Sequence, residues 1–344
     1  MAARGSTFYL MALARLILVT GKGGTGKSTV AAALALGLAR RHPTLLVDLD
    51  QRMWAARMLG VHSGNNANDN VPHHKDADSI ANLETTSLSA SAELEAFIER
   101  IVPIKAVARR MLRSRTFGYV SAALPGLEAF LMLERLRIVA GSVALEDRYV
   151  VVDAPATGSA LELLSVPGAL KQIAPIGTLN RLAAQVESFL ADATRFAVIL
   201  TLTPQELALR EALQASEVLR GRLGVSVAAA ALNCVPHPLF SAREMDALDA
   251  LEGHPGCARL ARWRDGAGRF ATRARREASR AGLYVVELPM LFSPAMGRAE
   301  LEELSRALEA GLFPAKPGTA TLPAGNPART STAASAAKPP AKTR

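Results

Sequence analysis

The segment Gly21–Thr29, with the sequence GKGGTGKST, constrains the fold of this 344-residue chain more than any other segment. It follows an apolar run, Leu16–Val19, that predicts a buried strand, and it leads into an Ala- and Leu-rich run, Lys27–Arg41, that predicts a helix. A glycine-rich loop between a strand and a helix is the context of a phosphate-binding loop. The segment therefore predicts a P-loop, and a glycine-rich turn that binds nothing is the weaker alternative.

The loop contains the groups that bind nucleotide phosphates. Its glycines let successive backbone N–H groups curl around an anion at the positive end of the following helix. Lys27 is expected to reach the β- and γ-phosphates, Ser28 to offer its hydroxyl to Mg²⁺, and Thr29 to contact the α-phosphate. ATP and Mg²⁺ are thus the predicted cofactors. The predicted nucleotide-binding residues of the loop are Gly21, Gly23, Gly24, Thr25, Gly26, Lys27, Ser28 and Thr29.

Lys22 is not required by the general P-loop pattern. With this lysine, the loop resembles the deviant Walker A loop of a class of dimeric ATPases. The class includes partitioning and Min-type proteins, nitrogenase iron protein, and the arsenite-pump and tail-anchored-protein targeting ATPases. In that class the extra lysine reaches the partner's nucleotide across a dimer interface, as an arginine finger does. The resemblance implies a homodimer in which Lys22 and Lys27 are catalytic; without it, Lys22 is a solvated loop lysine.

Within this class, the chain is most similar to the arsenite-pump and tail-anchored-protein targeting branch. Asp50 stands where that family has the switch I aspartate that orients the attacking water. The run Val150–Gly158 resembles the family's Walker B strand and switch II, which implies that Asp153 acts on Mg²⁺ through water. Two neighbouring positions differ from the family's usual residues: Gln51 replaces a proline, and Ser159 replaces a histidine.

Two further positions match residues that hold adenine in relatives. Asn233 follows a predicted strand, Val225–Leu232, and Pro289 follows another, Leu283–Glu287. The resemblance implies that both contact the base. From the residues alone, an asparagine at a strand end is more often a turn residue.

Alternating strand and helix patterns predict an α/β fold with a doubly wound, mostly parallel sheet. Continuous apolar strands such as Phe196–Leu200 indicate a sheet that is covered on both faces, with ligands at the carboxyl ends of its strands. We expect a single P-loop ATPase domain over residues 1–312. The resemblance implies a helical client region within it, at about 95–145 and 160–195.

Apolar residues at helical spacing in this region are candidates for a client-binding groove, with core packing as the alternative interpretation. The candidates are Phe97, Ile101, Ile104, Val107, Met111, Leu112, Phe130, Leu131, Leu133, Leu136, Leu161, Leu163, Leu164 and Leu170. Arginines also cluster between residues 100 and 115. A second cluster, Arg259–Arg280, has eight arginines against Asp265 and Glu277. Solvated helix faces explain both clusters.

The formal net charge of +9 is concentrated at the C-terminus. Residues 313–344 have five basic side chains and no acidic one, which leaves 35 basic against 31 acidic residues, or +4, on the rest. The Ala-, Pro-, Thr- and Ser-rich composition of 313–344 predicts a disordered tail. We expect a solvated spacer; weak contact with nucleic acid or acidic lipid is the alternative, and nucleic acid is otherwise not an expected partner.

Cysteine usage excludes several kinds of site. Cys234 and Cys257 are the only cysteines, and they form no C-x-x-C pair. This disfavours a disulfide framework, the zinc clamp of eukaryotic targeting relatives and a three-thiol arsenite site, so no metalloid site is evident. The apolar run Phe8–Thr20 is broken by Arg15 and leads into the P-loop, which predicts a buried strand and a cytoplasmic protein.

These features predict a Mg²⁺-dependent ATP hydrolase that acts as a nucleotide-switched homodimer and couples hydrolysis to binding or delivery of a client. The resemblance implies a hydrophobic client protein or a membrane receptor as partner. A partitioning or Min-type positioning ATPase, which binds DNA or membrane, is the alternative with the same nucleotide chemistry. A nucleotide-binding scaffold without turnover is a second alternative, because Gln51 and Ser159 differ from the family.

Overall fold

A computed structural model describes residues 14–49, 52–61, 80–101, 126–141, 148–249 and 255–312. Within these residues, seven parallel strands form one sheet. The strands are Leu16–Gly21 (β1), Thr44–Asp48 (β2), Leu83–Ser87 (β3), Tyr149–Asp153 (β4), Phe196–Leu202 (β5), Val227–Val235 (β6) and Val285–Pro289 (β7). Their order across the sheet is β3-β2-β4-β1-β5-β6-β7.

Helices connect these strands and cover both faces of the sheet. They are Lys27–Ala39 (α1), Trp54–Met58 (α2), Ala90–Ile101 (α3), Leu127–Ala140 (α4), Thr157–Ile173 (α5), Thr178–Ala191 (α6), Glu206–Glu217 (α7), Ala242–Asp249 (α8), Pro255–Arg280 (α9) and Arg298–Leu312 (α10). The chain continues from α7 into a π-helical turn, Val218–Arg222.

The first four residues of strand β1, Leu16 to Val19, are all apolar. Leu16 and Leu18 join the core on one face of the sheet, whereas Ile17 and Val19 join the core on the other face. Successive side chains of a strand point to opposite faces, so a strand that is covered on both sides needs an apolar residue at each position. The predicted doubly wound parallel sheet is confirmed.

The strand order places the end of β1 where a ligand is expected. Strand β1 lies between β4 and β5, and the chain runs to opposite sides of the sheet from this point. Ligands of open α/β sheets bind outside the carboxyl ends of strands at such a reversal. The P-loop leaves β1 at this place.

Helix α1 is buried along most of its length, because it lies between the sheet and α10. Residues Val30–Ala39 are all buried, and α1 contacts β4 and α10. Its small side chains permit this close packing: a Cβ atom at Gly37 would lie only 2.7 Å from Ser305 Oγ in α10. The helix that follows the P-loop is thus held on two sides.

Most groove candidates within the described residues lie in the core. Helices α3 to α6 share one core with strand residues of the sheet. The buried candidates are Phe130, Leu131, Leu133, Leu136, Leu163, Leu164 and Leu170, and Phe97 and Leu161 pack against them part-buried. Core packing therefore explains these residues. The hypothesis that they line an exposed groove is wrong. Ile104, Val107, Met111, Leu112 and the side chain of Ile101 lie outside the described part.

Several predicted boundaries shift by a few residues. Helix α1 ends at Ala39, so it is shorter than the Lys27–Arg41 pattern suggests. Strands β6 and β7 both begin and end later than predicted, so Asn233 lies inside β6 and Pro289 is the last residue of β7. The later strand ends result from parallel pairing that continues to Val235 opposite Pro289.

The predicted tail at 313–344 and the first residues of the run Phe8–Thr20 lie outside the described residues. None of the helices described in the structure combines the length and apolar character that crossing a membrane requires.

Candidate nucleotide-binding site

Two positions of the P-loop must be glycine because residues of neighbouring strands lie too close for a Cβ atom. A Cβ atom at Gly21 would lie 2.2 Å from the carbonyl oxygen of Thr201 in β5. Gly26, the residue before α1, has a φ angle of 88°, and a Cβ atom there would lie 2.3 Å from Asn233 Nδ2. Only glycine adopts this backbone region without strain and leaves this space. The loop is therefore fixed against β5 and β6.

The opposite side of the loop is open. Cβ atoms built on Gly23 or Gly24 would meet no atom within 4 Å. The first turn of α1 has no acidic residue of its own that would compete with a phosphate for the positive end of the helix. An open glycine loop at a helix N-terminus fits a bound phosphate chain.

Thr25 stabilises the shape of the loop. Its buried hydroxyl lies 2.8 Å from the carbonyl oxygen of Lys22 and 2.8 Å from the hydroxyl of Thr201. Thr201 in turn donates to the carbonyl oxygen of Thr20, at 3.2 Å. The Thr25 side chain thus joins the loop to β5.

The two lysines of the loop have different partners. Lys27 Nζ donates to the carbonyl oxygen of Lys22 at 3.3 Å, so its side chain folds back along the loop. Lys22 Nζ lies 3.2 Å from Glu211 Oε2 in α7, and the two side chains are 35% and 30% exposed. Lys22 is therefore not a solvated lysine; it is paired with a helix that follows β5. Sequence analysis did not identify Glu211 as a site residue.

The remaining two loop residues lie in the first turn of α1. Ser28 and Thr29 are both half-buried there. The Thr29 hydroxyl has a long contact, 3.8 Å, with the sulfur of Met58 in α2. Their predicted roles toward Mg²⁺ and the α-phosphate stay predictions.

Two buried aspartates end neighbouring strands beside the loop. Asp153 ends β4, Asp48 ends β2, and the two are paired in the register of these strands. Asp153 also lies opposite Val19 of β1. Sequence analysis identified Asp153 but not Asp48, although an acidic residue at the end of an apolar strand was a usable signal. Asp50 lies outside the described residues.

Mg²⁺ takes oxygen ligands and usually keeps several waters, so it needs few protein groups. A serine hydroxyl at the start of α1 and a carboxylate at the end of β4 are suitable donors. Within the described ranges, no group of three or more His, Cys, Asp or Glu side chains is arranged so that it could hold a metal ion.

The segment after β4 is tied to the strand before the P-loop. The Thr20 hydroxyl donates to the carbonyl oxygen of Pro155 at 2.7 Å, and the Ala154 N–H donates to the carbonyl oxygen of Val19 at 3.1 Å. Helix α5 begins two residues after Pro155, at Thr157, and Ser159 lies in its first turn. The segment predicted as switch II thus connects β4 to a long helix and is hydrogen-bonded to β1, the strand before the P-loop.

Asn233 supports the P-loop in this structure. Its Nδ2 donates to the carbonyl oxygen of Thr25 at 3.0 Å, and its Oδ1 accepts from the N–H of Cys234 at 2.9 Å. The register of β6 against β7 shifts at this point, and Cys234 has a φ angle of 59°. Such an irregularity in a strand redirects a side chain. Here it places the Asn233 amide under the loop.

Pro289 lies on the strand next to Asn233, since Val235 and Pro289 are paired. Both predicted adenine residues are thus at neighbouring strand ends near the P-loop. Their contact with a base stays a prediction. Desolvation by the surrounding protein raises the pKa of the Cys234 thiol beside them.

These features define a P-loop NTPase fold of the α/β class. A family model described as "Anion-transporting ATPase" matches residues 14–183, the part that contains the P-loop and the Asp153 strand. This match and the curated relatives support an anion-transporting ATPase-like family for this part of the chain. The resemblance found in the sequence is confirmed.

Two relatives carry ATPase names. "ATPase BagA" of Mycobacterium tuberculosis is 29% identical over 215 residues, which cover 60% of this chain and 61% of the relative. "Putative arsenical pump-driving ATPase" of Halobacterium salinarum is 27% identical over 237 residues, which cover 64% of this chain and 35% of the relative. The matched part therefore spans about three fifths of the first relative and about one third of the second.

Proposed function

We propose that this protein is a Mg²⁺-dependent ATP hydrolase that works as a nucleotide-switched homodimer. The observation that carries the proposal is an open P-loop with a second lysine, Lys22, following a strand whose neighbour β4 ends in the buried Asp153. The family match and the ATPase names of relatives support it.

The residues of one protomer would bind and orient the nucleotide. Loop N–H groups and Lys27 bind the β- and γ-phosphates, while Ser28 and Asp153 would hold Mg²⁺, the latter through water. When bound, Mg²⁺ neutralises charge on the phosphate oxygens. Asp50 orients the water that attacks the γ-phosphate, as the resemblance implies.

The second protomer would complete the site with its Lys22. A positive charge that is added from a partner stabilises the charge on the transferred phosphoryl group. For this contact, Lys22 must leave Glu211, to which it is paired within one protomer. ATP would then favour the closed dimer, and hydrolysis would release it.

Binding of a client would be coupled to this change through α5. Pro155 is bonded to the P-loop strand through Thr20, and α5 follows at once. A shift at this segment would therefore move a helix that packs against α6 and α4. The proposed clients are hydrophobic membrane proteins, a class that comes from the family resemblance.

The dimer mechanism is tested with Lys22→Ala and, as a matched control in the same loop, Lys27→Ala. We expect Lys22→Ala to bind ATP but to lose both ATP-dependent dimerisation and phosphate release. Lys27→Ala should lose ATP binding itself. Light scattering with ATP and Mg²⁺, and a phosphate-release assay, measure the two effects. Unchanged turnover and dimerisation in Lys22→Ala would refute the shared site.

The client proposal is tested with Asp50→Asn, which is expected to bind ATP without hydrolysing it. Proteins that copurify with this variant are compared with those that copurify with Lys27→Ala. Hydrophobic single-span membrane proteins on the ATP-trapped form alone support client targeting. DNA-bound or polar-localised partners would support the positioning alternative, and absence of Mg²⁺-dependent phosphate release, alone or with lysate, would support a scaffold without turnover.

A further inference from the structure

Helix α9 has an apolar stripe whose surroundings change halfway along the helix. Positions 260, 263, 267, 271, 274 and 278 repeat every three or four residues, so they lie on one side of the helix. In the second half, Ala271, Ala274 and Ala278 are buried, and α9 contacts β6, β7 and α7. In the first half, Leu260 and Trp263 are 64% and 57% exposed. The helix thus buries its alanines and packs Phe270 against the core, but it exposes Leu260 and Trp263.

The first half of α9 is attached through another side. Ala258 and Ala261 are buried there, and α8 contacts α9. Leu260 and Trp263 are consequently not used to pack the helix onto the part of the domain that the structure describes. Burial of such side chains normally stabilises a fold, so their exposure indicates a surface that binds something else.

Arg264 joins this helix to two neighbouring loops. Its Nε donates to the carbonyl oxygen of His237 at 2.9 Å, and its guanidinium carbon lies 4.8 Å from the centre of the Phe292 ring. Phe292 is 72% exposed, and Leu239 and Phe240 are also exposed beyond His237. We name this set the α9 surface. It consists of Leu239, Phe240, Arg259, Leu260, Trp263, Arg264 and Phe292.

The helix that carries this surface is strongly basic. Its eight arginines and two acidic residues give a net charge of +6. Asp265 pairs with Arg269, and Glu277 pairs with Arg273, each one turn apart. Among the described residues, no acidic group forms an ion pair with Arg259. The apolar end of α9 is therefore edged by positive charge.

Three occupants can be distinguished by chemistry. A second copy placed face to face would set +6 against +6, which opposes association. Nucleic acid would stack on Trp263 and Phe292 but would leave the exposed Leu239 and Leu260 without a role. An anionic bilayer uses the whole set: leucines and phenylalanine enter the acyl boundary, tryptophan lies at headgroup level, and arginines bind lipid phosphate.

We propose that the α9 surface binds an anionic lipid bilayer. This binding does not depend on the proposed ATPase cycle, since no P-loop residue belongs to the surface. The two loops of the α9 surface follow β6 and β7, the strands that carry Asn233 and Pro289. The membrane would therefore lie beside the nucleotide edge of the sheet.

The chain has two tryptophans, Trp54 and Trp263, which permits a site-specific measurement. In the full-length Trp54→Phe variant, Trp263 alone reports on the α9 surface. Its emission should shift to the blue on vesicles of phosphatidylcholine with about one third phosphatidylglycerol, and not on phosphatidylcholine alone. Salt at about 0.5 M should reverse the shift by screening. The matched variant, Trp263→Phe, should show no shift from Trp54.

Substitutions on the surface should weaken partitioning without loss of fold. Leu260→Ala combined with Arg259→Gln should lower the vesicle partition coefficient about tenfold or more. The control pair, Ile176→Ala with Arg306→Gln, removes an exposed apolar and a basic side chain elsewhere and should bind vesicles normally. Circular dichroism checks that both variants fold.

Three results would overturn the proposal. The first is no shift of Trp263 emission with anionic vesicles. The second is a shift or quench with a mixed-sequence oligonucleotide but not with vesicles, which would assign the surface to nucleic acid. The third is a shift that follows protein concentration without lipid, which would assign it to a second copy. None of these results bears on ATP hydrolysis, so failure here is separable from failure of the ATPase proposal.

Discussion

Replacing Glu211 with glutamine tests whether the ion pair with Lys22 opposes dimer formation. In one protomer, Lys22 Nζ lies 3.2 Å from Glu211 Oε2. If Lys22 must reach a partner's nucleotide, this pair breaks in both protomers when the dimer closes. Glu211→Gln removes the charge and keeps the size of the side chain, so it should favour the ATP-bound dimer.

The size of the effect follows from the exposure of the pair. Both side chains are about one third exposed, and pairs of this kind contribute ~0.2–1 kcal/mol each. Two pairs break per dimer, so the dimer gains ~0.4–2 kcal/mol in the variant, which is a ~2- to 30-fold lower dissociation constant. The gain should shrink as salt screens the wild-type pair.

The assay is sedimentation velocity with saturating ATP and Mg²⁺, in an Asp50→Asn background that is expected to prevent hydrolysis. Glu206→Gln is the matched control, because Glu206 lies on the same helix and pairs with Arg210 at 2.6 Å, away from the loop. This control should leave the dissociation constant unchanged. A weaker dimer in Glu211→Gln would refute the reasoning, since it would mean that Glu211 positions Lys22 for its contact.

Three further predictions concern the same edge of the sheet. Gly26→Ala should lose ~1–2 kcal/mol of unfolding free energy, measured in urea, because the φ angle of Gly26 is 88° and the new Cβ atom meets Asn233. Gly23→Ala is the control and should lose much less, because a Cβ atom at Gly23 has open space. Asn233→Ala should cost ~1–3 kcal/mol by leaving the carbonyl of Thr25 without its donor, and it should weaken ATP binding measured by calorimetry. The raised pKa of Cys234 predicts that its alkylation by iodoacetamide, followed by mass spectrometry, has its midpoint at higher pH than that of a free thiol. Because desolvation by the surrounding protein disfavours the thiolate, the same shift should lower the free energy of unfolding only as the pH rises above the ordinary thiol pKa.

The parts of the site that depend on neighbouring residues could be predicted from sequence. The P-loop is one continuous run between a strand and a helix, so its spacing encodes the geometry. Asp153 was identified through the resemblance of its strand to the family's Walker B strand, which is also one continuous run. The parallel sheet followed from strands that are apolar at every position.

Contacts between distant segments could not be predicted in this way. Lys22 and Glu211 are 189 positions apart, and nothing in either local sequence indicates a pair. Asn233 was expected after its strand, but an irregularity inside β6 sets the direction of its side chain. Such features depend on the packing of strands, and periodicity in one strand carries no information on them. The same limit explains why the exposure of Trp263 could not be predicted from the local sequence of α9.

The P-loop and the strand before it are hydrogen-bonded to residues at or after the ends of three other strands. Thr25 joins the loop to β5 through Thr201, Asn233 joins it to β6, and Thr20 joins the preceding strand to the segment after β4. Each of these strands leads to a different surface: β4 to α5, β5 to the helix with Glu211, and β6 to the loop of the α9 surface. A displacement of the loop by nucleotide would therefore act on all three connections at once. Substituting Thr25, Asn233 or Thr20 singly would weaken one connection at a time, because each hydrogen bond uses a different one of these side chains.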